Sequence, residues 1–437
     1  MPLDSARRRA TPFDAVARRL RVLFAGDTRS PFTERLAAAL VRRGTQVAVL
    51  NGRHMVDRVR WQYGAALEDV SCAERRFRGN GRIAAVRRFE GCWNRRRLFR
   101  GMERARADVI HLHNLYCGER LDRLADLPRL PAPLVVTAWG SDVDDSVVRK
   151  HPSYPPLRLA LLSRASLITA SSEPMVRRCR ALVPERPARD FRMIHWFPEP
   201  DRFHGEAAQR GREHWRRRLG IAPNDFVVLS PRGTSANYQI DRIIRAFAQA
   251  FPGSFTETAR RAVLVILHSS DAVAFRRDCL RQLRALALPL GDRVRFVEQV
   301  AYTEVAGLYG LADVAVSIPK ADGAAATHFE LMALGIPLIT APREDYRGIV
   351  LAGQNAAVVD ATTDESVACA LRELAENADL YGRIRAGALA SAARHGTFDD
   401  TVDAYLQVYR DVLAPPPVRA AAGETADIAD EVCAAAS

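Results

Sequence analysis

The stretch DGAAATHFELMALGIPLIT, Asp322 to Thr340, combines residues that could bind an anion with residues that could grip hydroxyl groups. An acid, a glycine and three alanines precede an apolar helix predicted to start near Thr327. Gly335 suits a left-handed cap at its end, and Pro337 prevents continuation. A helix start fronted by Gly323, Ala324 and Ala325 leaves backbone N–H groups unpaired and little obstructed, a seat for a diphosphate or a sugar oxygen. Asp322 and Glu330 put one carboxylate on each side of that seat. Glu330 has a second reading, because Thr327-x-x-Glu330 is also the spacing of a capping box, in which the glutamate bonds only backbone.

The elements around this stretch follow from hydrophobic patterning. LRVLFAGDTRSPFTERLAAALVRRGTQVAVLNGR reads as strand, loop, amphipathic helix and strand, with Ser30 as helix cap and Pro31 in the first turn. The apolar runs ADVIHLHNL, APLVVTAWG, ASLITASS and FRMIHWF follow, spaced by helical segments. A second array contains DFVVLSPR, AVLVILHSS, VRFVEQV, ADVAVSI, IPLITA and AAVVD, separated by helices such as QIDRIIRAFAQAF and ESVACALRELAEN. Alternation of this kind predicts α/β architecture with parallel sheets and right-handed crossovers. Two arrays predict two Rossmann-like domains, 19–195 and 206–396, joined by a linker over 196–205 where prolines and charges break the periodicity. A helix over 397–413 follows. Residues 1–18 read as a disordered basic arm and 414–437 as a disordered tail. Two doubly wound sheets place a cleft at the carboxyl ends of their strands, so chemistry is expected in the strand-to-helix loops.

Composition narrows the function classes. The 437 residues carry a formal charge of +13, but only Lys150 and Lys320 are lysines. An arginine excess of that kind follows from codon bias, so arginine alone does not mark a phosphate site. The balance still favours anionic partners. Seven cysteines, without C-x-x-C or Cys/His metal spacing, read as reduced thiols of a cytosolic protein. No apolar run approaches the roughly 20 residues needed to cross a bilayer, and LRVLFAG is too short for a signal core. Neither domain's first loop contains G-x-G-x-x-G, which argues against a nicotinamide oxidoreductase. No nucleic-acid module is evident.

Asp322, seven residues, Glu330 and then LMALGIPLIT resemble the nucleotide-sugar signature of family-4 retaining glycosyltransferases with the GT-B fold, an acid, seven residues, a Glu and Ala-Met-Ala-x-Gly-x-Pro. Leu331 replaces the alanine. The resemblance spans roughly residues 20–412. LFAGDTRSPFTERLAAAL is similar to the first loop, where Gly26 would let backbone approach the donor phosphate or acceptor. ADVIHLHNLY is similar to the strand ending in the family's functional histidine, here His113. VTAWGSDV is similar to a Gly-x-Asp loop, IHWFPEPDRF to the interdomain segment, and TFDDTVDAYLQVYRDVL to the last helix, which crosses back onto the first domain. The resemblance implies that Glu330 holds the ribose hydroxyls, that Asp322 approaches the donor sugar and that Arg232 holds the diphosphate. The donor site would comprise Gly26, Arg232, Tyr238, Gly323, Ala324, Ala325, Thr327 and Glu330, and His113, Asp322 and Arg232 would carry catalysis. No metal or other cofactor is implied. The Asp-x-Asp of SDVDD therefore reads as a loop-structuring Asp142 with solvated Asp144 and Asp145. Read as residues, His111 and His113 are equally consistent with hydrogen-bonded core histidines.

Two positions depart from the family pattern. Tyr238 stands where a lysine usually joins Arg232 on the diphosphate. Either another arginine compensates, or Arg232 and the helix start suffice, or the chain is catalytically weak; the SPR…NY-x-I-D arrangement, similar to that of other family members, favours the second. Asn355-Ala356 replaces Asn-Gly, which touches a turn more than chemistry. Glu298, after the strand VRFV, lies near the expected base pocket, but a purely structural role fits it better. The expected activity is transfer of a sugar from a nucleotide diphosphate sugar to an acceptor hydroxyl with retention of configuration, in surface polysaccharide, glycolipid or glycosylated-metabolite synthesis. The alternatives are a nucleotide-sugar-binding scaffold and another GT-B enzyme such as a sugar-nucleotide epimerase. Between Trp61 and Arg106 many arginines interleave with Phe77, Phe89, Trp93 and Phe99, a pattern fitting either a solvated face or a basic amphipathic helix on acidic lipid at the inner face of the membrane.

Overall fold

In the computed structural model, residues 20–26, 30–51, 53–70, 84–115, 129–140, 142–143, 154–253, 260–268, 274–298 and 300–414 are described. The first sheet has seven parallel strands in the order β3-β2-β1-β4-β5-β6-β7: β1 Arg21–Gly26, β2 Gln46–Leu50, β3 Glu68–Val70, β4 Val109–His113, β5 Leu134–Thr137, β6 Leu167–Ala170 and β7 Phe191–Met193. The second has six in the order β10-β9-β8-β11-β12-β13: β8 Phe226–Ser230, β9 Ala262–His268, β10 Val294–Glu298, β11 Val314–Ser317, β12 Leu338–Thr340 and β13 Ala357–Val358. Central strands such as AVLVILH are buried along their whole length, because helices cover both faces of a parallel sheet. Both sheets reverse order beside their first strand, which opens a crevice at the strand ends. β3 carries no apolar run and is not legible from patterning; it is placed by pairing with β2.

Each sheet has a core on either face, and the first domain's second core is closed by another part of the chain. Phe398, Val402, Tyr405, Leu406 and Tyr409 of the helix Phe398–Leu413 pack with Leu36 and Leu40 of the helix Pro31–Arg42. Arg43 pairs with Asp399 at 2.7 Å and also with Asp403, tying this last helix to the first domain. Ser30 caps the helix Pro31–Arg42, accepting from the Phe32 N–H at 3.2 Å, with Pro31 at its start. That fixes how the helix start meets the crevice.

The arginine-rich segment folds as the helix Ala84–Ala105. Leu98, Met102 and Ala105, at i, i+4 and i+7, are buried in the first-domain core. Its apolar positions at this end therefore face inward, which is a structural reason against lipid docking by this part of the helix. Trp61 is 79% and Trp93 41% exposed. Phe77 and the Phe89 side chain lie outside the described residues. Among the described residues, no helix is long and apolar enough to cross a membrane.

Candidate active site

The helix at the centre of the site runs from Ala326 to Ala333. Ala325 is its N-cap and provides no side-chain hydrogen bond, so Thr327-x-x-Glu330 is not a capping box. Ala324, Ala325 and Ala326 are buried, and the chain leaves the helix through Gly335 at φ +65°, which only glycine adopts without strain. The helix start faces the first domain. A Cβ on Gly140 would lie 3.2 Å from the Gly323 nitrogen, and one on Gly323 would lie 2.3 Å from Met175 Sδ and 2.5 Å from Ser171 Oγ. Gly140 thus lets the two lobes meet backbone to backbone, and Gly323 makes room for the side chains of Met175 and Ser171.

Around Asp322 the second domain builds a charged cluster. Arg232 Nη1 lies 3.0 Å from Asp322 Oδ2 and its Nη2 3.4 Å from Oδ1. The Tyr346 hydroxyl donates to Oδ2 at 3.1 Å and the Gly323 N–H to Oδ1 at 3.0 Å. Tyr238 does not neutralise charge, as a lysine would. Its hydroxyl accepts from Arg232 Nη2 at 3.0 Å and its ring lies 4.4 Å from the guanidinium carbon. Burial pulls the Arg232 guanidinium down, yet Asp322, Tyr238 and Tyr346 together hold it well above its usual pKa. The substituted position thus orients the Arg232 guanidinium. Sequence reading could not supply this, because it depends on where a six-residue loop returns.

Glu330 turns the other way. It accepts from the Tyr302 hydroxyl at 2.8 Å and lies 3.8 Å from Arg35 Nη1, a first-domain group. Arg35 is fully buried, donates to the Phe197 carbonyl at 3.0 Å, and lies 4.2 Å and 4.3 Å from the ring centres of Tyr302 and Phe398. Burial raises the Glu330 carboxyl above its ordinary pKa, against Arg35 and Tyr302, which lower it. Tyr302 is carried by the helix Tyr302–Gly310, whose Gly307 packs against Gly211 so closely that a Cβ on Gly211 would fall 2.0 Å from Gly307 Cα. Arg35 and Tyr302 escape sequence reasoning. The one signal was an arginine inside the otherwise apolar second turn of PFTERLAAAL.

On the first-domain side, Gly26 (φ +113°) ends β1 in register with His113 at the end of β4. His113 is buried, its Nδ1 3.0 Å from Thr33 Oγ1, among Phe24, Trp139 and Trp196. Burial pushes its pKa down to about 3, so the imidazole is neutral. His111 serves the fold: its Nδ1 lies 2.6 Å from the Tyr409 hydroxyl and its Nε2 2.7 Å from Thr137 Oγ1. Asp142 is buried and accepts from the backbone N–H groups of Trp139, Gly140 and Leu115 at 2.8–3.0 Å, shaping the glycine loop. Asp144 and Asp145 lie outside the described residues. Across the crevice Asp345 accepts from Ser172 Oγ at 2.6 Å and Arg178 Nη2 at 2.7 Å, and Arg178 also reaches the Asp322 carbonyl at 3.4 Å. Asn355 is buried and bonds Leu351, Ile349 and Ser391, a turn-holding role. Glu298 is exposed at the end of β10. Among the described residues no three His, Cys, Asp or Glu side chains gather as a metal site.

Two facing α/β lobes with a bare helix start and paired charges between them define a GT-B architecture. Residues 30–196 match the family described as Glycosyl transferase 4-like domain, and residues 211–390 match Glycosyl transferases group 1. The chain belongs to the GT-B glycosyltransferases of the family-4 type. It is 25% identical over 319 residues to D-inositol 3-phosphate glycosyltransferase 1 of Catenulispora acidiphila, covering 72% of this chain and 75% of that protein. It is 31% identical over 202 residues to D-inositol 3-phosphate glycosyltransferase of Stackebrandtia nassauensis, covering 45% and 44%. The fold matches the Anabaena protein Alr3699/HepE, solved in complex with UDP-glucose, at a TM-score of 0.68 with 17% identity over 90% of this chain and 100% of that one.

Proposed function

We propose that this glycosyltransferase moves a hexose from a nucleotide diphosphate sugar to an acceptor hydroxyl with retention of configuration and without a metal ion. The observation that carries the reading is the Arg232–Asp322 pair beside the start of the Ala326–Ala333 helix, which no side chain caps and which faces the first domain. Negative charge develops on the departing diphosphate. Arg232, pre-oriented by Tyr238, and the N–H groups at the helix start are fixed donors for that charge. Their effect is largest where closure excludes water. Asp322, an acceptor-only carboxylate, suits sugar hydroxyls, and Glu330 suits the ribose diol. His113 is neutral and offers the sugar a hydrogen bond rather than a charge.

HepE's complex with UDP-glucose makes a uridine donor the first to test, and the named activity of the curated relatives makes a phosphorylated polyol the first acceptor class. Thermal-shift titration with UDP-glucose, UDP-N-acetylglucosamine and GDP-mannose should raise the melting temperature with at least one, since a ligand of the folded state stabilises by mass action. NMR of the product should show the donor's own anomeric configuration. No shift with any donor, or an inverted product, overturns the corresponding part of the proposal.

A further inference from the structure

His328 is a polar residue that the mechanism above leaves unused. It is the third residue of the helix Ala326–Ala333 and is fully buried, yet neither Nδ1 nor Nε2 has a hydrogen-bond partner. Its ring stands edge to face with Tyr346 at 4.4 Å, and the Tyr346 hydroxyl ends on Asp322. The other buried residues of the helix are the apolar Ala326, Phe329, Leu331 and Met332 together with Glu330. A leucine would fill the same space without orphaning two polar atoms. Buried polar groups are nearly always paired, so a doubly unpaired ring at a helix start marks a place for a ligand atom.

The chemistry of the ring selects the ligand. Burial holds the His328 pKa at about 3, even with Asp322 pulling upward, so the ring offers one N–H donor and one bare nitrogen acceptor. Phosphate oxygens only accept, and Arg232 with the helix amides already serves them. A sugar hydroxyl both donates and accepts, which is the complement of a neutral imidazole.

We propose that His328 is a sugar-recognition residue of the donor site, its two ring nitrogens satisfied by hydroxyls of the transferred sugar beside Asp322. This rests on the donor site described under Proposed function. Whichever of UDP-glucose, UDP-N-acetylglucosamine and GDP-mannose binds the wild type is titrated calorimetrically, alongside its bare nucleoside diphosphate, into the wild type, His328→Leu and His328→Gln. The expected result is at least a tenfold loss of affinity for the sugar nucleotide in His328→Leu, less than a twofold change for the nucleoside diphosphate, and an intermediate loss in His328→Gln. An unchanged ratio of the two affinities in His328→Leu overturns the proposal. Should that variant fail to fold, imidazole ¹⁵N shifts of the wild type decide. A shift with the sugar nucleotide alone supports the proposal; the same shift with both ligands, or none, overturns it. If no sugar nucleotide binds the wild type, the donor-site reading fails first and the His328 proposal falls with it.

Discussion

Asp322 and Glu330 flank the same short helix, yet they draw their partners from different bodies of the protein. Asp322 is satisfied within its own lobe, by Arg232, Tyr346 and the Gly323 amide. Glu330 reaches Tyr302 in its own lobe and Arg35 in the other. The first cluster needs no domain closure to keep its geometry. The second is completed only when the lobes are together, so any ligand bidding for Glu330 also acts on the interdomain contact. One side of the helix start is therefore preorganised, and the other reports on closure.

That contrast can be broken most forcefully at Arg35. Arg35→Met should leave Glu330 buried without its counter-charge and cost about 3–5 kcal/mol, read by urea unfolding. Glu330 has a raised pKa, so the cost belongs to its charged form; it grows as pH rises through that pKa and shrinks on acidification. Adding Glu330→Gln to Arg35→Met should recover most of the loss, and strict additivity of the two changes would break the coupling.

On the other side, Arg232→Ala should lower kcat/KM for the bound donor 10²- to 10³-fold, the loss of about 3–4 kcal/mol associated with one fixed donor to developing charge. Folding should be less affected than in Arg35→Met, because Asp322 keeps two neutral donors. Activity within a few fold of wild type would remove Arg232 from the chemistry.

The buried first-domain histidines sharpen the comparison through pH. His113 is held near 3 in the folded protein against about 6.5 unfolded, so below 6.5 the unfolded chain takes up a proton that the folded chain refuses. Stability should fall as pH drops from about 6.5 toward 3, by about 1.4 kcal/mol per pH unit for this residue. His113→Gln should flatten that slope by the same amount in first-domain unfolding curves. An unchanged slope would mean the ring is already protonated.

The smallest effect is expected at Tyr238. Tyr238→Phe keeps the ring under Arg232 and removes only the hydroxyl acceptor, worth about 0.5–1.5 kcal/mol. A three- to tenfold fall in kcat with little change in stability would assign Tyr238 to orientation. A fall as deep as that of Arg232→Ala would mean that the hydroxyl itself meets the donor.

Much of the architecture was written in local pattern. Runs such as RVLFAG, AVLVILH and VAVS are strands because they are largely apolar, short and bounded, and each lies where patterning puts it. Ser30-Pro31 and Gly335-x-Pro337 bound their helices through backbone chemistry that needs no distant partner. The acid spacing around the Ala326–Ala333 helix was equally readable, because eight residues of one chain segment fix it. β3, with no apolar run, was not.

Which partner each acid takes could not be read from the chain. Thr327-x-x-Glu330 has the spacing of a capping box, yet the helix already starts at Ala326, and Glu330 instead meets a buried guanidinium from 295 residues earlier and a phenol from another helix. Tyr238 likewise looks like a lost cation in sequence and becomes, in space, the support of the Arg232 guanidinium. Local pattern determined the strands, the helix limits and the bare helix start, since those depend on neighbours in sequence. Tertiary structure alone decided the pairing of charges, because electrostatic and hydrogen-bond partners are chosen by distance in three dimensions and by exclusion of water.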